Sequence, residues 1–502
     1  MSDGIDPTVS IGSRIRSGLA WKAGSQVTLQ ISRMVIALVL ARLLAPHDWG
    51  LAAMVVLLSG FVVVFTDSAL GTALIQRRDL REEDRSTVFW MNTAIGVLLA
   101  VVGIGLAGPL ASFYGEAEVE PLFAVLSIGF FVTALGSTHA ALLVREMRFN
   151  LLELRLIAAT VVGATTGVSL AVADYGAWAI VGQQLAEAVT STLLLWYLSP
   201  WHPTATFSRS SMRSLGGFAG TVFAENLLYQ AGRNVGGLLI GRFLGPASVG
   251  AFVLANNVIL VPFSRMAGPL QQVFFPAFSQ MSDDKERMAS VWIRATRLVG
   301  LISIPALVGL VIVAPDFVEV VLGSRWRDAT PLIQILAVAG LIQSLQTLSG
   351  EVLLALGRAS TLLRFTMLWF VANVGAFALG LQWGIIGVAV CSVAATVLVE
   401  PVRTHLTARA LGIPMSRFVA ALSGISQAAA LMAAAVLAGR AGLVALDIPA
   451  AARLVLLVVV GAVAYGAGCL WRAPEISREL RTAISGRRAT AVPAVEPLKS
   501  RV

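Results

Sequence analysis

Charged residues are scarce in this chain and make up 13% of its 502 residues, whereas about a quarter of a typical soluble domain is charged. This scarcity excludes an ordinary soluble globular protein. Hydrophobic residues account for 57% of the chain, and the mean hydropathy is +0.81. A membrane span needs about 20 mainly apolar residues, and the sequence divides into about fourteen such stretches with short connections. We therefore predict an all-α polytopic membrane protein.

Cysteine and histidine are also rare. The two cysteines, Cys391 and Cys469, lie in separate apolar stretches, which excludes a disulfide framework and leaves them as small buried hydrophobic residues. The four histidines are far apart in sequence and form no metal-ligand spacing. No metal site is predicted.

Sequence motifs of enzymes are missing as well. Gly237, Gly241 and Gly245 form a ladder of small residues, which favours close helix packing in a membrane span. No Gly-Lys-Ser/Thr follows them, so the ladder is not a phosphate-binding loop. Without a nucleotide, metal or nucleophile motif, we expect no enzyme activity and no cofactor. An ion gradient, the membrane potential or the gradient of the substrate itself would then drive any transport.

One segment occurs twice in the chain. Residues 30–50 and 230–250 are identical at 8 of 21 aligned positions, where average residue usage would give roughly one or two. The repeated residues of the first copy are Gln30, Arg33, Val35, Leu38, Arg42, Leu44, Pro46 and Gly50. The two copies begin six predicted helices apart, and an even number leaves both in the same orientation. The sequence thus predicts two parallel-repeat lobes of six helices each, followed by two additional helices.

The predicted domain boundaries follow from this repeat and from a stretch rich in Pro, Ser and Thr near the middle of the chain. In chain order, the segments are a cytoplasmic N-terminal tail (1–12), an N-lobe with helices 1–6 (13–198), a cytoplasmic inter-lobe linker (199–211), a C-lobe with helices 7–12 (212–410), helices 13–14 (411–471) and a basic cytoplasmic tail (472–502).

Basic residues indicate the orientation of the chain. The net charge is +9, but the Lys and Arg residues lie between apolar stretches and form no basic patch with aromatic residues, so we expect no nucleic-acid partner. With the N-terminus in the cytoplasm, 28 of the 37 Lys and Arg residues fall inside, 6 outside and 3 within helices. Because cytoplasmic segments carry the excess of Lys and Arg, both termini are expected in the cytoplasm.

Each copy of the repeat is preceded or opened by polar residues at helical spacing. A helix places them on one face, and in a chain this apolar such a stripe usually faces a water-filled interior. Two arginines, one from each copy, would make that interior cationic and suited to a phosphate or diphosphate. The alternative is that each arginine pairs with a local acid or extends to a membrane interface. The predicted substrate-binding residues are Lys22, Gln26, Gln30 and Arg33 for the first copy, and Asn226, Gln230 and Arg233 for the second.

Other charges within predicted spans are candidates for a gate or for coupling. Asp67 and Arg265 occupy nearly equivalent positions of the two lobes with opposite charge, so a salt bridge between them would satisfy both. Glu225 would accept a proton or pair with Lys22 or Arg233. For Asp67 and Arg265, a purely structural pair or separate local partners is an interpretation at least as open as a gate. Three further glutamates are expected toward helix ends: Glu187, Glu351 and Glu400.

Six short runs of sequence carry a family resemblance. They are Leu-Ala-Arg-Leu-Leu-Ala-Pro-His-Asp-Trp-Gly-Leu-Ala-Ala-Met (40–54), Gly-Thr-Ala-Leu-Ile-Gln-Arg-Arg-Asp-Leu (71–80), Val-Phe-Trp-Met-Asn (88–92), Arg-Glu-Met-Arg-Phe (145–149), Ile-Gly-Arg-Phe-Leu-Gly (240–245) and Phe-Pro-Ala-Phe (275–278). With them, residues 14–415 resemble the polysaccharide and oligosaccharide flippases. These form the lipopolysaccharide-biosynthesis exporter branch of the multidrug/oligosaccharidyl-lipid/polysaccharide exporter superfamily.

The resemblance implies a V-shaped pair of six-helix bundles that works by alternating access. It implies translocation of an undecaprenyl-diphosphate-linked oligosaccharide from the cytoplasmic to the periplasmic leaflet of a bacterial inner membrane, for export of exopolysaccharide, capsule or O-antigen. Members of the family carry basic residues in a central cavity, which fits Arg33 and Arg233. The implied partners are the lipid-linked oligosaccharide, membrane lipids and the polysaccharide polymerase or export machinery.

Two other functions remain open at this point. An ion-coupled exporter of small cationic drugs, from another branch of the superfamily, would favour acids over arginines at the centre of the cavity. A non-transporting scaffold of a polysaccharide synthase complex would tolerate the loss of every intramembrane charge, provided that the protein still folds. The arginine stripes argue against the drug exporter.

Overall fold

The computed structural model of the protein describes residues 29–30, 32–66, 74, 80–208 and 219–472. No strand occurs in these residues, and the all-α prediction is confirmed. In chain order the helices are α1 (32–43), α2 (Pro46–Thr66), α3 (Glu82–Tyr114), α4 (Val119–Arg145), α5 (Phe149–Val172), α6 (Trp178–Leu198), α7 (Ala219–Gln280), α8 (Lys285–Phe317), α9 (Thr330–Leu345), α10 (Ser349–Ala355), α11 (Ala359–Gly380), α12 (Gly384–Leu411), α13 (Met415–Ala445) and α14 (Ala450–Arg472).

The length and composition of these helices suit a membrane. Within the described ranges, nine helices are long and apolar enough to cross a bilayer. A π-helical turn (Val318–Leu322) and a 3-10 helix (Ser324–Ala329) connect α8 to α9. The chain is thus a multi-pass membrane protein, as its composition predicts.

Local sequence explains where several helices begin, end or break. The carboxylate of Asp84 accepts a hydrogen bond from the backbone N–H of Arg81 at 3.0 Å, which satisfies a donor at the start of α3. Asp284 does the same for the N–H of Arg287 at 3.0 Å, at the start of α8. Gly115 ends α3 in the left-handed conformation, with φ of 76°. Gly245 interrupts α7 with φ of 80° and ψ of 177°, a conformation that few residues other than glycine adopt.

The chain divides into two compact units. The first contains the described parts of Met1–Val258, together with Val321–Leu332 and Asn373–Ser392. Within it α3 packs along α4, α5 packs along α6, and α2 lies against α4. Its main core joins α2, α4, α6, the first part of α7 and the start of α12, through buried residues that include Leu51, Met54, Leu122, Val181, Ile240 and Val388.

The second unit contains Ile259–Val320, Ile333–Ala372 and the described part of Val393–Val502. Its core centres on Trp292 of α8, which stacks on Phe418 of α13 with ring centroids 4.9 Å apart and planes at 23°. Helices α13 and α14 pack along each other, and both contact α8. The last two helices are therefore part of this unit's packed core.

A buried ion cluster ties α13 and α14 to the end of α8. Asp316 is 1% exposed, and its Oδ2 lies 3.1 Å from Nε of Arg440 on α13. Its Oδ1 accepts a hydrogen bond from Nε of Arg453 on α14 at 2.6 Å. One carboxylate thus neutralises part of the charge of two arginines, each of which would be costly in apolar surroundings without it.

We expect Asp316→Ala to destabilise the protein by about 1–3 kcal/mol, because the substitution leaves two partly exposed arginines without their buried hydrogen-bond acceptor and counter-charge. The measurement is the melting temperature of the purified protein in detergent. The matched control is Glu286→Ala, which removes an exposed ion pair with Arg417 and should change stability by less than about 1 kcal/mol. Equal melting temperatures for the two variants would contradict the anchoring role of Asp316.

Candidate functional site

The two copies of the repeat meet at their glycines. A methyl group on Gly50 would overlap the backbone carbonyl of Pro246, and one on Gly250 would overlap the carbonyl of Pro46. The methyl group on Gly250 would also come within 3.0 Å of the Gly50 nitrogen. The contact is reciprocal, because each copy presents its glycine to the proline carbonyl of the other. The repeated Pro-x-x-x-Gly spacing therefore builds a backbone-to-backbone crossing of α2 and α7.

The 3-10 helix of the first unit (Ser324–Ala329) caps the C-terminal end of α1 by donating hydrogen bonds to its carbonyl groups. Trp326 is buried and donates its indole N–H to the carbonyl of Ala41 at 2.6 Å. Arg325 donates to the carbonyl of Leu43 at 3.3 Å. These are carbonyls of the last helical turn, which have no partner within their own helix. Trp326 also meets the ring of Trp49 edge to face, with centroids 6.1 Å apart.

Arg33 on α1 forms the ion pair at the centre of the site. Its Nη2 lies 2.6 Å from Oε1 of Glu187 on α6. The hydroxyl of Thr160 on α5 donates to the same Oε1 at 3.3 Å. The Arg33 side chain is 39% exposed and that of Glu187 is 25% exposed. Glu187 thus lies near the middle of α6, and the expectation that it lies toward a helix end is wrong.

A cavity of about 220 Å³ lies beside Arg33. Helices α1, α2, α6 and α7 line it with an arginine and three amides among apolar side chains: Arg33, Gln183, Gln184 and Asn257, with Ala37, Leu40, Trp49, Ala53, Val56, Ile180 and Val253. A cavity of this size has room for water or a small anionic group, whereas pockets for drug-sized ligands measure about 300–1,000 Å³. The guanidinium and the amides supply N–H donors to an anion bound there.

The second copy of the repeat contributes an amide that its first copy lacks. Asn234 replaces Met34 and donates its side-chain N–H to the carbonyl of Leu57 on α2 at 2.9 Å. Asn234 is 8% exposed, so this bond satisfies a buried polar group. The side-chain amide of Gln230 lies against Gly60, where a Cβ atom would overlap it. The start of the second copy is thus packed on α2.

The predicted site residues are only partly visible. Arg33, Gln30 and Gln230 lie within the described residues, and of these Arg33 lines the cavity. Arg233, Asn226, Glu225 and Arg265 belong to α7, but their side chains fall outside the described part. Lys22, Gln26 and Asp67 lie outside the described residues altogether. Their roles in binding, gating or coupling stay predictions.

Sequence reasoning did not place four residues at this site. Glu187 pairs with Arg33, and Gln183, Gln184 and Asn257 line the same cavity from helices that are distant in sequence. A weak signal existed, because Gln183-Gln184 and Asn256-Asn257 are adjacent amide pairs inside otherwise apolar stretches. Polar residues in a span normally face the interior of the bundle. Nothing in the sequence indicates which arginine they approach.

Comparison with known proteins identifies the family. A family model described as "Polysaccharide biosynthesis protein" matches residues 39–331, which is more than half of the chain. The chain belongs to this family. The match confirms the resemblance seen in the sequence runs, and it includes both copies of the repeat from Val39 onward.

Two characterised relatives align with most of the chain. The lipopolysaccharide biosynthesis protein WzxC of Escherichia coli K12 is 29% identical over 384 residues, covering 76% of this chain and 78% of the relative. The teichuronic acid biosynthesis protein TuaB of Bacillus subtilis is 29% identical over 355 residues, covering 70% and 73%. Among solved structures, the lipid II flippase MurJ in an inward closed conformation superposes with a TM-score of 0.71 at 14% identity, over 91% of this chain and 99% of that one. This last likeness shows a shared fold.

The glycine crossing can be tested by adding one methyl group. We expect Gly50→Ala to lower the melting temperature, because overpacking a backbone contact typically costs about 1–3 kcal/mol. The matched control is Gly105→Ala on α3, where no atom lies within 4 Å of the added methyl group. That variant should be neutral or gain up to about 1 kcal/mol from helix propensity. A Gly50→Ala protein as stable as Gly105→Ala would show that the two copies do not meet at this glycine.

Proposed function

We propose that this protein translocates an undecaprenyl-diphosphate-linked oligosaccharide from the cytoplasmic to the periplasmic leaflet of a bacterial inner membrane. The translocated oligosaccharide serves the export of a polysaccharide such as exopolysaccharide, capsule or O-antigen. The observation that carries the proposal is Arg33 in a cavity lined by amides, inside the apolar helices of a member of the polysaccharide biosynthesis protein family. The names of the relatives and of the structural neighbour support it.

The chemistry of the site suits the charged part of such a lipid. The guanidinium of an arginine can donate two parallel N–H hydrogen bonds to phosphate oxygens. Apolar surroundings with a low dielectric constant strengthen the attraction between the arginine and the phosphate charges. The side-chain amides of Gln183, Gln184 and Asn257 add uncharged N–H donors. Such donors hydrogen-bond an oxygen whether or not that oxygen carries a charge. The polyprenyl chain remains in the bilayer, whose apolar interior it matches. The protein thus needs to solvate only the diphosphate and the sugar during the crossing.

The architecture that we propose is about 14 spanning helices in two six-helix lobes with two helices after them. The repeat at residues 30–50 and 230–250 supports two lobes of equal orientation. The excess of basic residues in alternate connections supports cytoplasmic termini. Alternating access of the lobes would expose the site to one leaflet at a time. The carrier uses no cofactor, and an ion gradient, the membrane potential or the substrate gradient drives it.

The direct test locates the lipid-linked oligosaccharide in cells depleted of the protein. A membrane-impermeant reagent that modifies sugars, added to spheroplasts, labels only the outer leaflet. We expect the labelled fraction to fall while the total lipid-linked pool rises. An unchanged labelled fraction would contradict translocation and favour the scaffold. Altered resistance to cationic compounds in the same cells would favour the drug exporter.

We expect Arg33→Ala to reduce export by about tenfold to a hundredfold, because a charged hydrogen bond contributes about 1.5–3 kcal/mol. Arg33→Lys keeps the positive charge but cannot donate two parallel hydrogen bonds to a phosphate, so this variant should retain part of the export activity. The readout is labelled outer-leaflet oligosaccharide, normalised to the amount of protein in the membrane. Arg417→Ala, which breaks an exposed ion pair with Glu286, is the control and should export normally. Normal export by Arg33→Ala would overturn the cationic site.

A further inference from the structure

Glu187 is an acid in the middle of α6. The sequence predicts α6 as a span, although it is not among the nine described helices that are long and apolar enough to cross a bilayer, and ionised groups in a span are costly and usually functional. The Oε1 of Glu187 receives the Nη2 of Arg33 at 2.6 Å and the hydroxyl of Thr160 at 3.3 Å. The same Arg33 side chain lines the 220 Å³ cavity. One guanidinium therefore borders both an internal carboxylate and a space with room for an external anion.

The backbone that carries Glu187 is held rigidly. Helix α5 approaches α6 at Gly163, where a Cβ atom would lie 3.2 Å from Cβ of Glu187 and 2.9 Å from the carbonyl of Gln183. A Cβ atom added to Gly167 would lie 3.2 Å from the carbonyl oxygen of Ala179. Such close contact fixes the backbone position of Glu187, whereas the arginine side chain is longer and has more rotatable bonds than a glutamate. The arginine is therefore the partner with the greater reach.

We propose that Glu187 is an internal competitor of the substrate, and that the Arg33 guanidinium exchanges between the Glu187 carboxylate and the diphosphate of the lipid. This inference rests on the proposed function. In the empty carrier the carboxylate neutralises the arginine, which lowers the cost of its charge within the membrane. An arriving diphosphate displaces the carboxylate. When the diphosphate leaves, Glu187 recaptures the arginine and thereby assists release.

The charge of the lipid decides whether it can displace the carboxylate. A diphosphate diester carries two negative charges and attracts the guanidinium more strongly than one carboxylate does at the same distance. A phosphate diester carries a single charge and has no such advantage over Glu187. The cost of displacing Glu187 is the same for both lipids, so the carboxylate lowers the affinity for each by a similar factor, and the diphosphate is the one that still occupies the site.

The test measures equilibrium binding to the full-length protein in nanodiscs with two probes of different charge. Farnesyl-diphospho-N-acetylglucosamine carries two charges, and farnesyl-phospho-N-acetylglucosamine carries one. We expect Glu187→Gln, which preserves the size of the side chain, to bind both probes about tenfold more tightly, because neither probe then has to displace a carboxylate from Arg33. The diphosphate probe should also dissociate more slowly. Glu187→Asp keeps the charge and should bind more like the wild type than Glu187→Gln does.

Two controls isolate the exchange. Glu286→Gln makes the same chemical change at an exposed ion pair with Arg417 and should alter neither affinity. In an Arg33→Ala background, Glu187→Gln should no longer tighten binding, because the carboxylate then has no arginine to withhold. A merely structural Glu187 would weaken binding of both probes equally, and this result would overturn the proposal.

The outcomes separate this proposal from the function on which it rests. If Arg33→Ala loses the diphosphate probe while Glu187→Gln binds it as the wild type does, the competition is wrong and the cationic site stands. If Arg33→Ala binds both probes normally, the arginine is not the anion site and the competition fails with it. If the wild-type protein binds neither probe, the proposed lipid-diphosphate substrate is wrong.

Discussion

An arginine inside apolar helices needs water or an opposite charge beside it, and the first unit places Arg33 between a carboxylate and a cavity. The counter-charge is Glu187 of α6, whose Oε1 lies 2.6 Å from Nη2 of Arg33. The Arg33 side chain also lines the cavity. Because an ionised group in a span costs a few kcal/mol or more when it is not satisfied, Arg33 can leave Glu187 only when water or another anion takes the place of the carboxylate. The close packing of α5 on α6 at Gly163 and Gly167 fixes the backbone from which the carboxylate extends.

The repeat organises the surroundings of this pair. At Gly50 and Gly250 the backbones of the two copies touch without intervening side chains, and Pro46 and Pro246 present the carbonyls that are touched. A contact of this kind requires glycine on both sides, so it accounts for the recurrence of these residues better than helix propensity does. The arginines Arg42 and Arg242 of the two copies are both exposed, as equivalent positions in a repeat should be.

Sequence reasoning predicted what depends on composition and periodicity. The all-helical multi-pass fold, the repeated segment and the family followed from apolar stretches, internal identities and short motifs. It did not predict the partner of Arg33, because Glu187 lies 154 residues away and a helical pattern gives no information about which helices meet. The bond from Asn234 to Leu57 spans 177 residues and that from Trp326 to Ala41 spans 285. Such contacts are set by tertiary packing, which no local signal encodes.

Helices α6 and α12, which align when the two halves of the chain are compared, differ in their polar residues. The offset of 208 residues that aligns Gly176 with Gly384 also aligns Glu187 with Ala395. The same offset places Cys391 and Ser392 where α6 has Gln183 and Gln184. These two helices therefore differ in an acid and two amides, whereas α7 of the second half contributes the amide of Asn257 to the same cavity. Ala395 stands at the position aligned with Glu187, so the alignment offers no second carboxylate there. The competition that we propose for Arg33 is therefore a property of α6 that the repeat does not duplicate.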